Sequence, residues 1–316
     1  MVHYAVEALD EVHIDLAAPG GALEHYDLMS PYVWSDDRGC RILLRCVPNP
    51  LGPTYPTGVV YCGKSSDGLT FAMDTTPAIA PGPQIDDAGG CEDPTVVIAQ
   101  NQDLLVYYTG VDARRTQGCM MVARGRDLAS LVKQRVLLKA PEGEGNIKEA
   151  TVAQGADGRF RLLYEYAAQF DQPTTSDIDL TGASRIGMAV GPTPDGPWEV
   201  APDPFTVRAD SWDNWHLSTG PIVSQPGADP VMFYNGATLD ARWRIGWVAF
   251  DPDFTRVTAR GLMPLIVPPP PEHRDATDIA FAASCLTAGA DGSGDILLYY
   301  SLEDRMLRRA TVRRFD

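Results

Sequence analysis

Five copies of one strand–turn–strand pattern run along the whole chain. Each copy opens with a small or acidic residue, continues into an apolar run, passes a polar turn and ends in a second apolar run. The copies begin at Ser30, Asp93, Glu149, Thr219 and Asp278, at intervals of 63, 56, 70 and 59 residues. About four strands fit in ~60 residues, because strands average ~5–6 residues and hairpin loops 2–5. The period therefore predicts one four-stranded sheet, repeated five times.

This repeat predicts an all-β chain that folds as a five-bladed β-propeller, with residues 1–316 as a single domain. Turn dipeptides typical of β-hairpins separate the apolar runs, namely Asp67-Gly68, Asp157-Gly158, Asp195-Gly196 and Asp291-Gly292. A β-sandwich with chance similarity between its strands is the alternative. The phase of the repeat holds from end to end, which favours the propeller.

The residues that open the five copies are predicted to meet in space. In a propeller the first strand of each blade lines the central channel, so these residues cluster at one mouth of it. Among them are the carboxyl groups of Asp93 and Glu149. Convergent carboxyl groups suit glycoside hydrolysis, where one stays protonated as the acid and another is ionised to activate water or phosphate.

The charge of the chain excludes several function classes. Asp and Glu number 42 against 26 Lys and Arg, which gives a formal net charge of −16. An acidic surface repels nucleic-acid phosphates and anionic lipids, so neither is an expected partner. We also expect a cytoplasmic protein, because the sequence shows no signal peptide and no apolar run near the ~20 residues that a membrane span needs.

Metal and cofactor binding are not expected. The six cysteines show neither CxxC spacing nor pairing with histidine at zinc-ligand distances, so we expect free buried thiols. The nucleotide-binding patterns GxGxxG and the P-loop are absent, and none of the five histidines accompanies a GxSxG nucleophile motif.

Several segments in chain order resemble glycoside hydrolase family 130, the β-mannoside phosphorylases and β-mannosidases. They are SSDGLTF with GGCEDPTVV, NIKEATV with GRFRLLYEY, GPIV with VMFYNGA, WRIGWVAFD with RGLMPLI, and ILLYYSLEDRMLRRATV. The similarity covers nearly all of the chain. Each segment alone is a weak signal, but their order and their register with the repeat make the resemblance specific.

The resemblance implies roles for particular residues. The family's proton donor is the Asp of its EDP motif, which is Asp93 here, and its proton reaches the leaving oxygen through a substrate hydroxyl. Arg45 and Lys148 keep basic positions of the family, and Asp304 matches its closing Asp. Glu149 takes the place of a family Asp and could bind sugar hydroxyls, tune the acid or act as the base.

The chain departs from the family where phosphate is bound. Thr95 replaces the Arg after EDP, Tyr164-Glu165 replaces a His-Arg pair, and Asn235 replaces a His. Phosphate favours Arg, and a carboxylate repels it, so this exchange favours hydrolysis over phosphorolysis. Either Glu165 or Glu149 would act as the base, and for inversion the acid and base should lie roughly 6.5–9.5 Å apart.

A polar and aromatic loop, DSWDNWHLSTG, precedes the fourth copy and contains Asp213 and His216. Such loops build sugar-binding walls, with Trp212 or Trp215 stacking on a pyranose face; core packing is the alternative for either ring. We therefore predict Asp213, His216 and Asn235 as substrate contacts.

Together these observations predict an inverting glycosidase that acts on β-mannosides or related short glycosides. The alternatives are an inorganic-phosphate-dependent β-mannoside phosphorylase, a sugar-binding propeller without catalysis, and a member of another five-bladed glycosidase family. The expected partner is an oligosaccharide or glycoside substrate, and a homo-oligomer is possible. The sugar and its linkage are not specified by the sequence.

Overall fold

A computed structural model describes residues 2–15, 25–99, 101–169, 182–289, 292 and 294–316. Antiparallel β-strands dominate this part of the chain, beside two 3-10 helices of one turn each (Ile85–Asp87 and Leu128–Ser130). The predicted all-β class is confirmed. None of the described residues forms a helix with the length and apolar character needed to cross a bilayer.

The first three sheets are meanders that follow chain order. The first contains β3 (Tyr26–Asp36), β4 (Gly39–Pro48), β5 (Val59–Ser65) and β6 (Thr70–Ile79), with β2 (His13–Asp15) parallel to β6. The second contains β7 (Gly90–Ile98), β8 (Leu104–Val111), β9 (Gly118–Gly125) and β10 (Val132–Leu138). The third contains β11 (Ile147–Gln154), β12 (Phe160–Gln169), β13 (Gly182–Gly191) and β14 (Glu199–Ala201). Each meander coincides with one predicted repeat.

The fourth repeat is divided into two short sheets. One contains β15 (His216–Ser218), β18 (Asn235–Ala237) and β19 (Trp243–Ile245). The other contains β16 (Ile222–Val223), β17 (Val231–Met232), β20 (Val248–Phe250) and β21 (Val257–Arg260). The strands break at Thr219–Pro221, where proline cannot donate a ladder hydrogen bond.

The last sheet joins the two ends of the chain. It contains β22 (Ala280–Thr287), β23 (Ile296–Leu302) and β24 (Met306–Phe315), and β1 (His3–Glu11) pairs antiparallel with β24. Because the first strand completes the last sheet, its ladder fixes the N-terminal segment to the C-terminal one.

The first strands of successive units contact one another in a closed cycle, from β3 to β7, β11, β16, β22 and back to β3. Five apolar cores follow the same cycle, each filled from two consecutive units. The core between the last and first units packs Tyr299 and Leu307 against Phe71. The hydrophobic stabilisation is thus distributed around the cycle rather than concentrated in one central core.

A β-bulge interrupts the first strand at the same place in several units. The register shifts between Met29 and Tyr32 in β3, between Glu92 and Thr95 in β7, and between Lys148 and Thr151 in β11. The bulged residues Ser30, Asp93 and Glu149 have φ of 50°, 50° and 55°. Non-glycine residues rarely adopt this conformation, and bulges of this kind re-aim a side chain.

The hairpin turns agree with the sequence prediction wherever they are described. Gly68, Gly158 and Gly196 each follow an aspartate between paired strands and have φ of 68°, 79° and 87°. Asp291 of the fourth predicted turn lies outside the described residues. The start of the fifth repeat was placed wrongly, because the bulge in β22 falls between Ala282 and Ser284. Asp278 precedes that strand and pairs with Arg242 at 2.6 Å.

Candidate active site

Asp93 occupies the bulge of β7 and is buried. Its carboxyl group accepts hydrogen bonds from Ser30 Oγ at 2.8 Å and Thr109 Oγ1 at 3.5 Å, and Arg45 Nη1 lies 3.1 Å from Oδ1. Burial disfavours the charge, but Arg45, Lys148 and the hydrogen bonds with Ser30 and Glu149 outweigh it and lower the pKa of Asp93. These surroundings therefore favour the ionised form of Asp93.

Glu149 occupies the equivalent bulge of β11 and hydrogen-bonds to Asp93. Burial, and then the charge of Asp93, raise the pKa of Glu149 well above its ordinary value. Two carboxyl groups in such contact cannot both ionise easily, so the pair retains one proton. Because the pKa of Glu149 is raised and that of Asp93 is lowered, we assign the proton to Glu149, with Asp93 as its acceptor.

Arg45 connects the first and second units. Its Nη2 lies 2.7 Å from Glu92 Oε1 and donates to the Thr57 carbonyl oxygen at 3.1 Å. Burial opposes the cation, but Glu92, Asp93 and other acids outweigh it and raise the pKa of Arg45. Burial also raises the pKa of Glu92, ahead of the opposing effect of Arg45. A single guanidinium is thus shared by two adjacent carboxyl groups.

Glu92 is a site residue that the sequence analysis missed. In a regular strand, neighbouring side chains point to opposite faces, so Glu92 would be expected to lie away from Asp93. The bulge removes this alternation and lets both side chains reach Arg45. The one available signal was the proximity of Glu92 to Asp93 in the EDP motif.

Lys148 and Glu165 face each other across β11 and β12, where they are register partners. Lys148 Nζ lies 3.8 Å from Glu165 Oε1, and Ser184 Oγ donates to the same oxygen at 2.8 Å. The charge of Glu165, ahead of the opposing effect of burial, raises the pKa of Lys148. The charges of Asp93 and Glu149 also raise the pKa of Lys148, so this cation lies near Glu165 and near the Asp93–Glu149 pair.

His216 adjoins this group through Ser184, whose backbone N–H donates to His216 Nδ1 at 3.1 Å. Burial, with Arg185 and Lys148, lowers the pKa of His216 to about 4. The imidazole is therefore neutral at physiological pH. Because Nδ1 accepts a hydrogen bond, the ring proton resides on Nε2, which can donate.

Asp304 belongs to the same electrostatic group. It follows β23 and has a φ of 52°. Burial raises the pKa of Asp304; Arg45 opposes the shift and Asp93 adds to it. The group thus contains two cations, Arg45 and Lys148, and five carboxyl groups that act on them. These are Glu92, Asp93, Glu149, Glu165 and Asp304.

A cavity of about 180 Å³ opens beside this group. Its lining includes Thr57, Glu92, Thr109, Asn146 and Lys148. It shares Thr116 and Gln117 with an outer groove of about 630 Å³. The cavity that touches Glu92 and Lys148 is thus smaller than the ~300–1,000 Å³ of typical small-molecule sites, and the outer groove adjoins it. Within the described ranges, no group of three or more His, Cys, Asp or Glu side chains is arranged to hold a metal ion.

The structure does not bring Asp213 to this group and gives no support to its predicted contact with substrate. Asp213 is fully buried and forms ion pairs with Arg208 at 2.9 Å and Arg260 at 2.5 Å. Tyr234 donates to the same carboxylate at 2.6 Å. With these partners, Asp213 stabilises the fourth unit from inside.

Asn235 is also committed to the fold rather than free to bind a sugar. Its Nδ2 donates to the carbonyl oxygens of Thr219 and Ala282 at 2.6 and 3.1 Å, and its Oδ1 accepts from the Ala282 N–H at 2.7 Å. These bonds tie the fourth unit to the fifth. These bonds give no support to the predicted contact of Asn235 with substrate.

Trp212, one of the two rings considered for sugar stacking, is half-buried and packs against the core of the third and fourth units. It lies over Tyr234, with ring centroids 5.6 Å apart and an interplanar angle of 18°. A Cβ atom at Gly246 would lie 2.6 Å from this indole, so the glycine permits the close approach. The core alternative therefore applies to Trp212.

Comparisons with known proteins support the fold. No protein-family model matches the chain, and no curated protein matches it by sequence. Among solved structures, it is similar to a β-1,2-mannobiose phosphorylase from Listeria innocua in complex with β-1,2-mannobiose, with 17% identity, a TM-score of 0.68, and coverage of 96% of this chain and 90% of the other.

Two further structures extend the similarity. One comes from a study of GH130 glycoside hydrolases that target β-1,2-mannosidic linkages in Candida mannan; it is 18% identical, has a TM-score of 0.73 and covers 97% and 94% of the two chains. The other is a glycosyl hydrolase from Bacteroides ovatus, with 19% identity, a TM-score of 0.71 and coverage of 92% and 84%. The predicted resemblance is therefore confirmed, and at low sequence identity the chain has the fold of glycoside hydrolase family 130.

Proposed function

We propose that the protein is a divergent family 130 glycoside hydrolase that cleaves β-mannosides or related short glycosides with inversion. Its five units would be the blades of one propeller formed by residues 1–316. The closed cycle of first strands and the five cores between successive units support this architecture. The pairing of β1 with β24 joins the N- and C-terminal segments within one unit, which agrees with a closed ring.

The observation that carries the proposed activity is the meeting of Asp93 and Glu149, which occupy equivalent bulges of β7 and β11; the lowered pKa of Asp93 and the raised pKa of Glu149 support a proton shared between them. A glycosidase needs a carboxylic acid that is still protonated at working pH. Glu149 stores the proton, and Asp93 is its hydrogen-bonded acceptor. As the glycosidic bond breaks, the proton passes from the pair through Asp93 to the leaving oxygen, so Asp93 acts as the general acid.

Glu165 is the base in this scheme. Ser184 and Lys148 fix its carboxyl group beside the acid pair. Glu165 removes a proton from water as the water oxygen attacks the anomeric carbon from the face opposite the leaving group. The leaving sugar gains the proton of the acid pair, so charge and atoms balance and the anomeric configuration inverts.

The surroundings favour water over phosphate as the second substrate. Arg45 is already paired with Glu92 and Asp93, which leaves it little capacity for an anion. Thr95, at the position of a family Arg, is buried and donates to the Ala150 carbonyl oxygen at 2.7 Å. With five carboxyl groups around two cations, a phosphate dianion would be repelled.

Product analysis with and without phosphate tests the proposal. The protein is incubated with β-1,2-mannobiose and with other β-linked mannobioses, and products are separated by chromatography. We expect free mannose at the same rate in both buffers. A sugar 1-phosphate formed only with phosphate would instead establish the phosphorylase alternative, and binding without turnover would establish the non-catalytic one.

A further inference from the structure

Three half-buried aromatic rings form a row across the fourth and fifth units. The rings of His216 and Trp243 have centroids 5.5 Å apart at 31°, and those of Trp243 and Phe281 are 5.5 Å apart at 61°. None of the three is fully enclosed by the protein. We call His216, Trp243 and Phe281 the aromatic shelf.

The register of the short strands explains why these rings share one face. His216 is opposite Ala237, and Ala237 is opposite Trp243, so the three side chains lie on the same side of their sheet. Ala237 is small and buried, which lets the two larger rings meet above it. A parallel bridge between Trp243 and Ile279 brings Phe281 alongside.

The aromatic shelf is continuous with the acidic group. Ser184 links the two, because its hydroxyl donates to Glu165 at 2.8 Å and its N–H donates to His216 at 3.1 Å. Lys148, the ion-pair partner of Glu165, also lies near enough to His216 to lower the pKa of its imidazole. One end of the aromatic shelf is therefore one residue away from the proposed base.

We propose that the aromatic shelf binds a pyranose ring of the substrate beside Glu165. This inference rests on the proposed function and names the part of the site that recognises the sugar. The C–H face of a pyranose packs against aromatic rings, while its hydroxyls need polar partners at the edge. His216 supplies such a partner through Nε2–H, since Nδ1 is already occupied by Ser184.

The contrast with Trp212 supports a binding role for Trp243. Trp212 lies flat on Tyr234 and fits against glycine backbone, so its ring contacts the protein interior. Trp243 is half-buried, as Trp212 is, but its ring lies in the row that leads to Glu165. The sugar-stacking role considered for Trp212 is thus assigned to Trp243 in this inference.

The test measures binding apart from turnover. Affinity for β-1,2-mannobiose is determined by isothermal titration calorimetry in an Asp93→Asn background, with Trp243→Ala, Trp243→Phe or Phe281→Ala added. We expect Trp243→Ala to weaken binding by about tenfold, because a stacked aromatic contact contributes roughly 1 kcal/mol. Trp243→Phe retains a ring and should stay within about threefold of the background. Trp212→Phe is the matched control and should leave the affinity unchanged.

The possible outcomes separate this inference from the proposed function. Equal binding by Trp243→Ala, Phe281→Ala and the background would overturn the aromatic shelf while leaving hydrolysis intact. If Trp243→Ala does not fold, as judged by its thermal transition, the loss of affinity in Phe281→Ala decides instead. Absence of both binding and sugar release with every β-mannobiose would overturn the proposed function and this inference together.

Discussion

Asp93 and Asp213 are both buried aspartates beside arginine, yet their surroundings differ in the balance of charge. At Asp213, two arginines and Tyr234 share one carboxylate. At Asp93, a single arginine is divided between Asp93 and Glu92, and further carboxyl groups surround it. In both cases the partners outweigh burial and lower the pKa of the aspartate.

The difference separates a stabilising group from a reactive one. A buried carboxylate whose hydrogen bonds and ion pairs are all made within the protein is not available to a substrate. Removing it leaves its buried cationic partners uncompensated and lowers stability. A group with more acids than cations must retain protons, and its hydrogen bonds can be exchanged for those of a ligand. Substitutions at the two sites should therefore affect different measurements.

The largest effect is expected for Asp93→Asn. Asparagine keeps the shape and most hydrogen bonds of Asp93 but cannot pass a proton to the leaving oxygen. We expect kcat for β-mannoside hydrolysis to fall by about 10³-fold, within the range for loss of a general acid. Mannose release measured by a coupled assay gives this value. Activity within tenfold of the wild type would exclude Asp93 as the acid.

Asp213→Asn should act on stability instead. It leaves Arg208 and Arg260 facing a neutral group in a buried position, so the free energy of unfolding should drop by about 3–5 kcal/mol. Urea denaturation provides the measurement, and the folded protein should keep its kcat. Asp278→Asn is the control, because Asp278 pairs with exposed Arg242 and should lose no more than about 1 kcal/mol.

Glu149→Gln should change the pH dependence of hydrolysis. Glutamine preserves a hydrogen bond to Asp93 but carries no titratable proton, so the proton must reside on Asp93 itself. Because the pKa of Asp93 is lowered, the alkaline limb of the kcat/KM profile should move to lower pH. An unchanged alkaline limb would contradict the shared proton.

The same substitution has a consequence for stability. Glu149 has a raised pKa in the folded state, so its folded form binds a proton that the unfolded chain releases above about pH 4.3. The contribution of Glu149 is complete below that value and is lost as the pH rises through its folded-state pKa. Urea titrations across this range should show a smaller decline for Glu149→Gln than for the wild type.

The smallest effect is expected for Tyr234→Phe, which removes the hydroxyl donor to Asp213 and keeps both arginines. The hydroxyl also accepts from Arg260 Nε at 3.1 Å and Arg208 Nη2 at 3.4 Å, so we expect a loss of about 1–3 kcal/mol in unfolding free energy, the cost of leaving buried polar groups without this partner. Hydrolysis rates should stay the same. A large loss of activity would instead show that the structure around Asp213 affects the catalytic residues around Asp93.

Much of the fold could be predicted from sequence because the repeat is local in origin. Each unit is a set of hairpins, and turns such as Asp67-Gly68 and Asp157-Gly158 specify where strands reverse. The equivalent positions Asp93 and Glu149 follow from the same repeat, and the structure does place them in contact. Their catalytic roles stay predictions.

The remaining site features depend on geometry that sequence patterns do not carry. Glu92 reaches Arg45 only because a bulge cancels the alternation of side chains in β7. Asp213 is saturated by Arg260, which is 47 residues away along the chain. Trp243 joins the aromatic shelf through its pairing with Ala237, a register set by short strands in the divided unit.

The most direct test of the account follows the anomer and the oxygen of the released sugar. The substrate is the methyl glycoside of β-1,2-mannobiose, so that the only free mannose comes from the cleaved residue. Hydrolysis in phosphate-free, ¹⁸O-labelled water is monitored by NMR before mutarotation, with mass analysis of the released mannose. The account predicts that the first product is α-mannose with ¹⁸O at its anomeric carbon. In Asp93→Asn, neither this product nor the label should form at a comparable rate. Release of β-mannose, or no release until phosphate is added, would contradict it.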